Sequence, residues 1–378
     1  MPCKFDTVVD RRDHASYKWD KYRGRDVIPM WVADMDFRAP PEVVTALNEI
    51  TDRGVFGYVV PPDGAVDAIV AMLAREYNWH IDPQWLVWMP GLVPALNLAC
   101  RAYCESDQAV MTTTPIYPPF LQAPKFSERK LITVPLANDD GTWRFDLDAM
   151  RAAVTPTTRL LIVCNPYNPV GRAFRRKEIE PLAQFCEDHD LVICSDEVHC
   201  QLILDDIDHV PIATLAPEIA ARTITLMAPS KTYNLPGLCC AFAIISDNKL
   251  RHRFKRHMQG IMPEMNAYAY AGCAAAYTHG EPWRRELVDY LRGNRDLLAS
   301  FIGDELPGVS VGHIEATYLA WLDVRELELE DPLTFFENAG VGLSDGRWFG
   351  GTGYMRLNFG CPRAALQEAL ERIRAALV

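Results

Sequence analysis

The hexapeptide APSKTY at residues 228–233 follows a short apolar run, residues 223–227, that is typical of a buried strand. Lys231 therefore lies just past a core strand, where an ammonium group is costly unless it is partnered or neutral. A desolvated lysine amine with a lowered pKa condenses with an aldehyde to form a Schiff base. The alternative interpretation is a plain turn whose lysine side chain lies in water, and the short motif alone does not exclude it.

The chain around this motif alternates strand-like and helix-like segments between about residues 85 and 245. This alternation predicts an α/β fold with a mainly parallel sheet. In such sheets, ligands bind at the carboxyl ends of the strands. Residues with suitable chemistry fall just past five predicted strand ends: Gly91, Tyr117, Asn168, Asp196 and Lys231. Their coincidence favours the reactive-amine interpretation of Lys231.

Bulk composition limits the class of protein. A formal net charge of −12 argues against nucleic acid as a partner, because phosphate binding needs a basic face. Apolar runs stay shorter than the ~20 residues that cross a bilayer, and the first residues lack the apolar core of a signal peptide. The eleven cysteines show no CxxC spacing, so we expect reduced thiols, no metal site and a cytoplasmic protein.

A pyridoxal phosphate site requires groups that this chain supplies at the predicted strand ends. Lys231 is the candidate amine for the aldehyde, Asp196 the carboxylate for the ring nitrogen, Asn168 the donor to the ring oxygen and Tyr117 the plate that stacks on the ring. The candidate phosphate ligands are the backbone of Gly91, Leu92 and Val93 and the hydroxyl of Ser230.

Arg356 interrupts an apolar run near the end of the chain. A guanidinium fork at this position suits the α-carboxylate of an amino-acid substrate. An arginine that forms a salt bridge at a strand edge is the alternative.

Four segments together resemble the fold-type I pyridoxal-phosphate enzymes: NPYNPVG at 165–171, SDEVH at 195–199, SKT at 230–232 and RLNF at 356–359. Further segments narrow the resemblance to the cystathionine β-lyase (C–S lyase) branch of the class I/II aminotransferase family, the MalY/PatB group. They are FD at 5–6, KW at 18–19, WVADMDF at 31–37, FGY at 56–58, YPPF at 117–120 and TYLAWLD at 317–323. The resemblance covers nearly the whole chain.

The resemblance implies a homodimer whose active sites lie at the subunit interface, with Tyr58 reaching the cofactor phosphate of the partner subunit. Two positions depart from the pattern of many aminotransferases. His199 replaces a tyrosine three residues after the ring-nitrogen aspartate, so contact with the ring oxygen rests on Asn168 and His199. Cys239 replaces an arginine that anchors the phosphate.

The resemblance also implies a division of the chain. We expect an arm and part of a small domain at residues 1–47, a three-layer large domain at 48–280 and the rest of an α+β small domain at 281–378. Residues 28–37 predict an edge strand, and residues 315–323 predict a strand of the small domain. The loop at Ala33 and Asp34 is expected to shape the pocket for the substrate side chain.

The activity predicted from these features is α,β-elimination from cystathionine or a related cysteine S-conjugate, which releases a thiol, pyruvate and ammonia. Lys231, Tyr117 and Asp196 are the candidate catalytic residues. Two alternatives stay open: an aminotransferase that uses the same groups, and a non-catalytic interaction protein on the same scaffold. The sequence does not name the physiological substrate.

Overall fold

The computed structural model describes residues 4–377, so the outermost residues of the two predicted end segments lie outside it. The helices are α1 Tyr17–Asp20, α2 Pro41–Arg53, α3 Asp63–Tyr77, α4 Leu92–Tyr103, α5 Pro118–Phe126, α6 Leu147–Ala153, α7 Arg176–Asp188, α8 Pro217–Ala220, α9 Asn248–Met258, α10 Ala267–His279, α11 Glu281–Glu305, α12 Pro332–Asn338 and α13 Arg363–Leu377. The strands are β1 Ile28–Pro29, β2 Leu86–Met89, β3 Ala109–Thr114, β4 Lys130–Pro135, β5 Ala137–Asp139, β6 Thr142–Arg144, β7 Thr158–Cys164, β8 Val192–Asp196, β9 Thr223–Met227, β10 Ala241–Ile244, β11 Ser310–Val311, β12 Leu319–Asp323, β13 Val341–Gly342, β14 Ser344–Asp345 and β15 Tyr354–Asn358.

A seven-stranded sheet organises the larger part of the molecule, with strand order β2-β10-β9-β8-β7-β3-β4. All its strands run in one direction except β10, which is antiparallel to both neighbours. Strand β9 is buried along its whole length, as expected for a sheet covered on both faces. The predicted α/β fold with a mainly parallel sheet is therefore confirmed.

Helices cover both faces of this sheet and make three layers. Along β10, Phe242 and Ile244 point into one core, and Ala241 and Ala243 point into the other. The first core receives α3, α10 and α11, and the second receives α4, α5, α7 and α9. Successive residues of β10 face opposite sides of the sheet, so this strand supplies both cores.

A smaller antiparallel sheet, in the order β11-β12-β15-β14, packs with α11 and α13. Arg356 lies in the middle of β15, opposite Trp321 on one neighbouring strand and Ser344 on the other. A separate parallel pair, β1 with β13, ties the N-terminal segment to this region. The small sheet thus holds the Arg356 side chain beside the large sheet.

The predicted strand at residues 28–37 is wrong over most of its length, because only Ile28 and Pro29 pair. Beyond Pro29, side chains donate hydrogen bonds to backbone carbonyls that would otherwise accept from a neighbouring strand. The Asn358 amide donates to the carbonyls of Val32 and Asp34, at 2.6 and 2.9 Å. The predicted strand at 315–323 likewise begins only at Leu319, after Thr317 with a φ of 72°.

No helix within residues 4–377 combines the length and the apolar character that a membrane crossing requires.

Candidate active site

One cavity lies at the carboxyl ends of the parallel strands. It is lined by ten of the residues that the sequence singled out: Ala33, Gly91, Leu92, Val93, Tyr117, Asn168, Asp196, His199, Ser230 and Lys231. They come together because each follows a strand whose carboxyl end faces the same edge of the sheet, apart from Ala33, which the N-terminal loop contributes. The site is therefore built by chain segments that are far apart in sequence.

The amine of Lys231 is half-buried and donates a hydrogen bond to the carbonyl oxygen of Ala33 at 2.8 Å. Burial lowers the pKa of Lys231 to about 8; the carboxylate of Asp34 opposes this shift, Arg356 adds to it, and Asp196 again opposes it. A lysine with this pKa is partly neutral near neutral pH. It is a nucleophile and a proton acceptor where an ordinary surface lysine is a cation.

Asp196 ends β8 and is buried, with its Oδ1 accepting from the backbone N–H of Val198 at 3.1 Å. Burial raises the pKa of Asp196 to about 7, against the opposing effects of the Val198 hydrogen bond and Lys231. A buried carboxylate whose pKa is raised by burial is stabilised in its charged form by a cationic partner. The site thus offers a place for a protonated ring nitrogen.

A second carboxylate, Glu197, fixes the backbone beside Asp196. Glu197 is fully buried and accepts from Ser195 Oγ at 2.9 Å and from the Ile212 N–H at 3.1 Å, and it pairs with His209 Nε2 at 2.8 Å. These three bonds hold residues 195–212 together below the cavity. The sequence analysis placed Glu197 at the end of a predicted strand and assigned it no separate role.

Arg356 is buried behind Asn168 and does not line the cavity wall. Its Nη1 donates to Asn168 Oδ1 at 2.9 Å, and its Nη2 donates to the Trp31 carbonyl at 2.8 Å. Its Nε has no partner within residues 4–377. Burial lowers the pKa of Arg356 to about 10, so the group stays cationic at neutral pH. It retains a free donor for a carboxylate.

Two rings line the cavity. Tyr117 is half-buried immediately before α5, and burial raises the pKa of its hydroxyl. His199 is buried, and burial lowers its pKa to about 3, so the imidazole is neutral. The Nδ1 of His199 has no hydrogen-bond partner in the described part of the chain. A flat, polar ligand between these rings would meet an aromatic face and an unused nitrogen.

The anion-binding end of the cavity is the start of α4. No side chain caps this helix, so the backbone N–H groups that follow Gly91 are directed at the cavity without a local acceptor. Ser230 adds a hydroxyl, and Cys239 occupies the wall nearby with a φ of 53°. These donors, with Lys231, Asp196 and the rings, fit pyridoxal phosphate.

Besides Arg356, two predicted site residues lie outside this cavity. Asp34 lines a second cavity, which shares Ala33, Lys231 and Pro236 with the first. Tyr58 is 99% exposed and contributes to neither cavity in a single chain.

Sequence reasoning missed the group that holds Lys231. The Ala33 carbonyl accepts from Lys231 and also from the Tyr318 hydroxyl, at 3.1 Å. A backbone carbonyl in an irregular loop carries no residue-type signature. The available signal was the alternation of Asp34 and Asp36 with apolar residues, since carboxylates inside an apolar segment require partners.

The family model for class I and II aminotransferases matches residues 25–373. Among curated proteins, cystathionine beta-lyase PatB of Bacillus subtilis is 36% identical, with 99% of each chain covered. Among solved structures, that of OvoB has a TM-score of 0.97 at 43% identity, covering 99% of both chains. The pyridoxal-phosphate-bound C–S lyase of Staphylococcus hominis has a TM-score of 0.94 at 32% identity, covering 100% of this chain and 99% of that one.

Proposed function

The chain belongs to the class I and II aminotransferase family, and on this premise we propose that it is a pyridoxal-phosphate-dependent carbon–sulfur β-lyase. It converts cystathionine or a related cysteine S-conjugate, together with one water molecule, to a thiol, pyruvate and ammonia. The resemblance to the cystathionine β-lyase branch is confirmed by relatives of that name.

One observation carries the proposal: the amine of Lys231 and the carboxylate of Asp196 line the same cavity. A partly neutral amine can form a Schiff base with the aldehyde of pyridoxal phosphate, and a buried acid can keep its ring nitrogen protonated. The start of α4 and the Ser230 hydroxyl would hold the phosphate, and Tyr117 and His199 would flank the ring. Asn168 would contact the ring oxygen through its amide nitrogen, because its Oδ1 is taken by Arg356.

Bound pyridoxal phosphate supplies an acceptor for the electron pair that remains on the substrate's α-carbon after that carbon loses its proton. Residues of this chain move the proton and bind the substrate. Lys231 Nζ takes the α-proton, which its low pKa permits near neutral pH. Arg356, the buried cation beside Asn168, would attract the substrate's α-carboxylate and orient the α-carbon toward Lys231.

An aminotransferase would use the same residues, so the two activities are separated by their products. We expect pyruvate and thiol to appear from L-cystathionine without any keto acid, and the Lys231→Ala variant to lose more than about 99% of this activity, since general base catalysis contributes 100-fold or more. A lactate dehydrogenase-coupled assay measures the pyruvate. A strict requirement for a keto-acid acceptor would instead establish an aminotransferase.

We propose further that the enzyme is a homodimer. Val55, Phe56, Tyr58 and Val60 are all more than half exposed on one short segment between α2 and α3. An apolar loop of this kind is typical of a surface that another chain covers. A second copy that receives this loop would place Tyr58 at the partner's phosphate site, as the resemblance implies.

A cytoplasmic location and the division of the chain at residues 47 and 280 are also proposals. The ten cysteines of residues 4–377 form no disulfide, and all except Cys239 are buried, which suits a reducing compartment.

A further inference from the structure

Helix α9 carries an uncommon set of charges for an acidic protein. Its eleven residues, NKLRHRFKRHM, include five lysines and arginines, two histidines and no carboxylate, although the whole chain has a formal net charge of −12. Phe254 is buried on the inner side of the helix. Lys249, His252 and Arg256, at positions i, i+3 and i+7, are exposed on the outer side, so these basic groups face solvent.

The fold leaves most of these charges unpaired. Within residues 4–377, Lys249 and Arg256 have no carboxylate oxygen within 4.0 Å, and Arg253 has one, from Glu105, at 2.8 Å. By contrast, the helices α7, α11 and α13 each carry an ion pair between residues one turn apart.

Local helix stability does not account for this pattern. Lys249 and Arg253 are four residues apart, and Arg253 and Arg256 are three apart, so cations that are neighbours on the helix repel each other. Cations in the last turn suit the helix dipole, but Lys249 and Arg253 precede that turn. A sequence choice that opposes local stability without a gain in the fold indicates a functional surface.

Two arginines extend this surface beyond α9. Arg129 donates to the Cys104 carbonyl at 2.6 Å, next to the Glu105 that pairs with Arg253. Burial raises the pKa of the Cys104 thiol to about 12, and Arg129, Arg253 and Arg159 all oppose this shift, so the three guanidinium groups lie near one another. Arg159 donates only to backbone carbonyls in the described part of the chain. The basic surface therefore consists of Arg129, Arg159, Lys249, His252, Arg253 and Arg256.

The basic surface lies away from the catalytic cavity. Arg129 immediately precedes β4, and Arg159 is the second residue of β7, so both lie at the amino ends of parallel strands, whereas the cavity lies at the carboxyl ends. No member of the basic surface lines either cavity at Lys231. Lys255 is left out of it, because this lysine lines a separate cavity with Pro61, beside the loop that the proposed homodimer would cover.

The dimensions and charge of the basic surface fit a short acidic segment. The row from Lys249 to Arg256 is about 10 Å long along the helix axis, which equals about three residues of an extended chain. Guanidinium groups with free donors bind carboxylates. A nucleic-acid strand would continue past this row onto an acidic protein, and a membrane would require apolar side chains on the outer side of α9, where the exposed residues are basic.

We propose that the basic surface is a docking site for a segment of another protein that is rich in aspartate and glutamate. This docking site is independent of the proposed lyase function, because it shares no residue with the catalytic cavity.

Fluorescence anisotropy of labelled hexaglutamate tests the docking site in the holoenzyme. We expect saturable binding at low ionic strength that weakens as salt is added, because salt screens exposed charges. The double variant Lys249→Glu with Arg256→Glu should bind at least about tenfold more weakly, since two attractive charges become repulsive. Its pyruvate release from L-cystathionine should equal that of the wild type, which shows that the variant is folded.

The matched control is the double variant Arg176→Glu with Lys177→Glu. It changes the net charge by the same amount at the exposed start of α7 and should bind hexaglutamate as the wild type does. Equal weakening in both double variants would show that only the net charge matters, and would overturn the docking site.

Three other results would also overturn the proposal. The first is the absence of saturable hexaglutamate binding by the wild type. The second is tighter binding of oligothymidylate or of phosphatidylglycerol vesicles than of hexaglutamate, which would assign the basic surface to nucleic acid or to a membrane. The third is salt-sensitive association of the wild type into assemblies larger than a dimer that the α9 double variant lacks, which would assign it to a second copy of this chain.

Discussion

At the scale of single residues, the site depends on the protonation of Lys231. Its pKa of about 8 results from burial against the opposing pull of Asp34 and Asp196. Only the neutral amine attacks an aldehyde, so the reactive fraction grows as the pH rises through the pKa and then levels off. An exposed lysine would keep gaining reactivity up to about pH 10.5.

The rate at which the apoenzyme takes up pyridoxal phosphate should therefore rise with pH and reach a plateau above a midpoint near 8. Stopped-flow measurement of the visible cofactor absorbance gives the profile. Asp34→Asn removes a carboxylate that raises this pKa, so its midpoint should be lower. Asp139→Asn, at an exposed ion pair, is the matched control and should leave the midpoint unchanged. A midpoint near 10.5 in the wild type would contradict a buried lysine.

Much of the site was predictable at this scale. The sequence predicts that Tyr117, Asn168, Asp196 and Lys231 meet at one edge because they follow parallel strands, and in the structure they line one cavity. The Ala33 carbonyl was not found, because an irregular loop has no periodicity that would place it. Cys239, at the anion end, was noticed only as a departure from a family pattern.

At the scale of elements, the N-terminal arm fixes the loop that carries Ala33. Lys18 is completely buried and donates to Asp36 Oδ2 at 2.7 Å and to the Asp34 carbonyl at 2.8 Å. The Trp19 indole donates to Asp36 Oδ1 at 2.9 Å. The short helix α1 is thus joined to residues 34–36 by charge and not by apolar contact alone.

Replacing Lys18 by Met should lower the free energy of unfolding by about 3 kcal/mol, because it leaves a buried carboxylate without one of its cations. Denaturant unfolding measures the loss. Adding Asp36→Asn should recover part of the lost stability. Lys21→Met, at a partly exposed pair with Glu337, should cost less than about 1 kcal/mol. Equal losses of stability in Lys18→Met and Lys21→Met would show that burial does not strengthen the pair of Lys18 and Asp36.

The pattern of apolar residues does not predict helix α10. Its sequence, AYAYAGCAAAYTH, has no apolar stripe, because the helix is packed on several sides by α2, α3 and α11. A helix without an exposed face gives no amphipathic signal. By contrast, the spacing of apolar residues predicts amphipathic helices over residues 65–77 and from residue 366 onward, where the structure has α3 and α13, each with a solvent side.

At the scale of the whole molecule, the exposed loop with Tyr58 is the surface that the second chain of the proposed homodimer would cover. A mixed dimer contains one Lys231→Ala chain and one Tyr58→Ala chain. If each active site takes Tyr58 from its partner, both defects fall in the same active site. One of the two sites in that dimer is then intact. The oligomeric arrangement came from family resemblance alone, because a single sequence does not show which apolar loop another chain covers.

Unfolding and refolding the two inactive variants together should restore up to about a quarter of wild-type activity, since half of the dimers are mixed and each has one intact site. Pyruvate release measures the recovery. A mixture of Lys231→Ala and Asp196→Asn is the matched control and should stay inactive, because both residues belong to one chain. No recovery in the first mixture would contradict a shared site.

The contact between Lys231 and Ala33 joins positions 198 residues apart, and this separation has a consequence during synthesis. A ribosome completes the lysine long after the loop that will receive it, and the neighbouring Arg356 later still. An incomplete chain lacks the burial and the Arg356 charge that lower the pKa of Lys231, so its lysine has an ordinary pKa and is protonated at neutral pH. Reactivity of this amine toward an aldehyde is therefore a property of the folded chain.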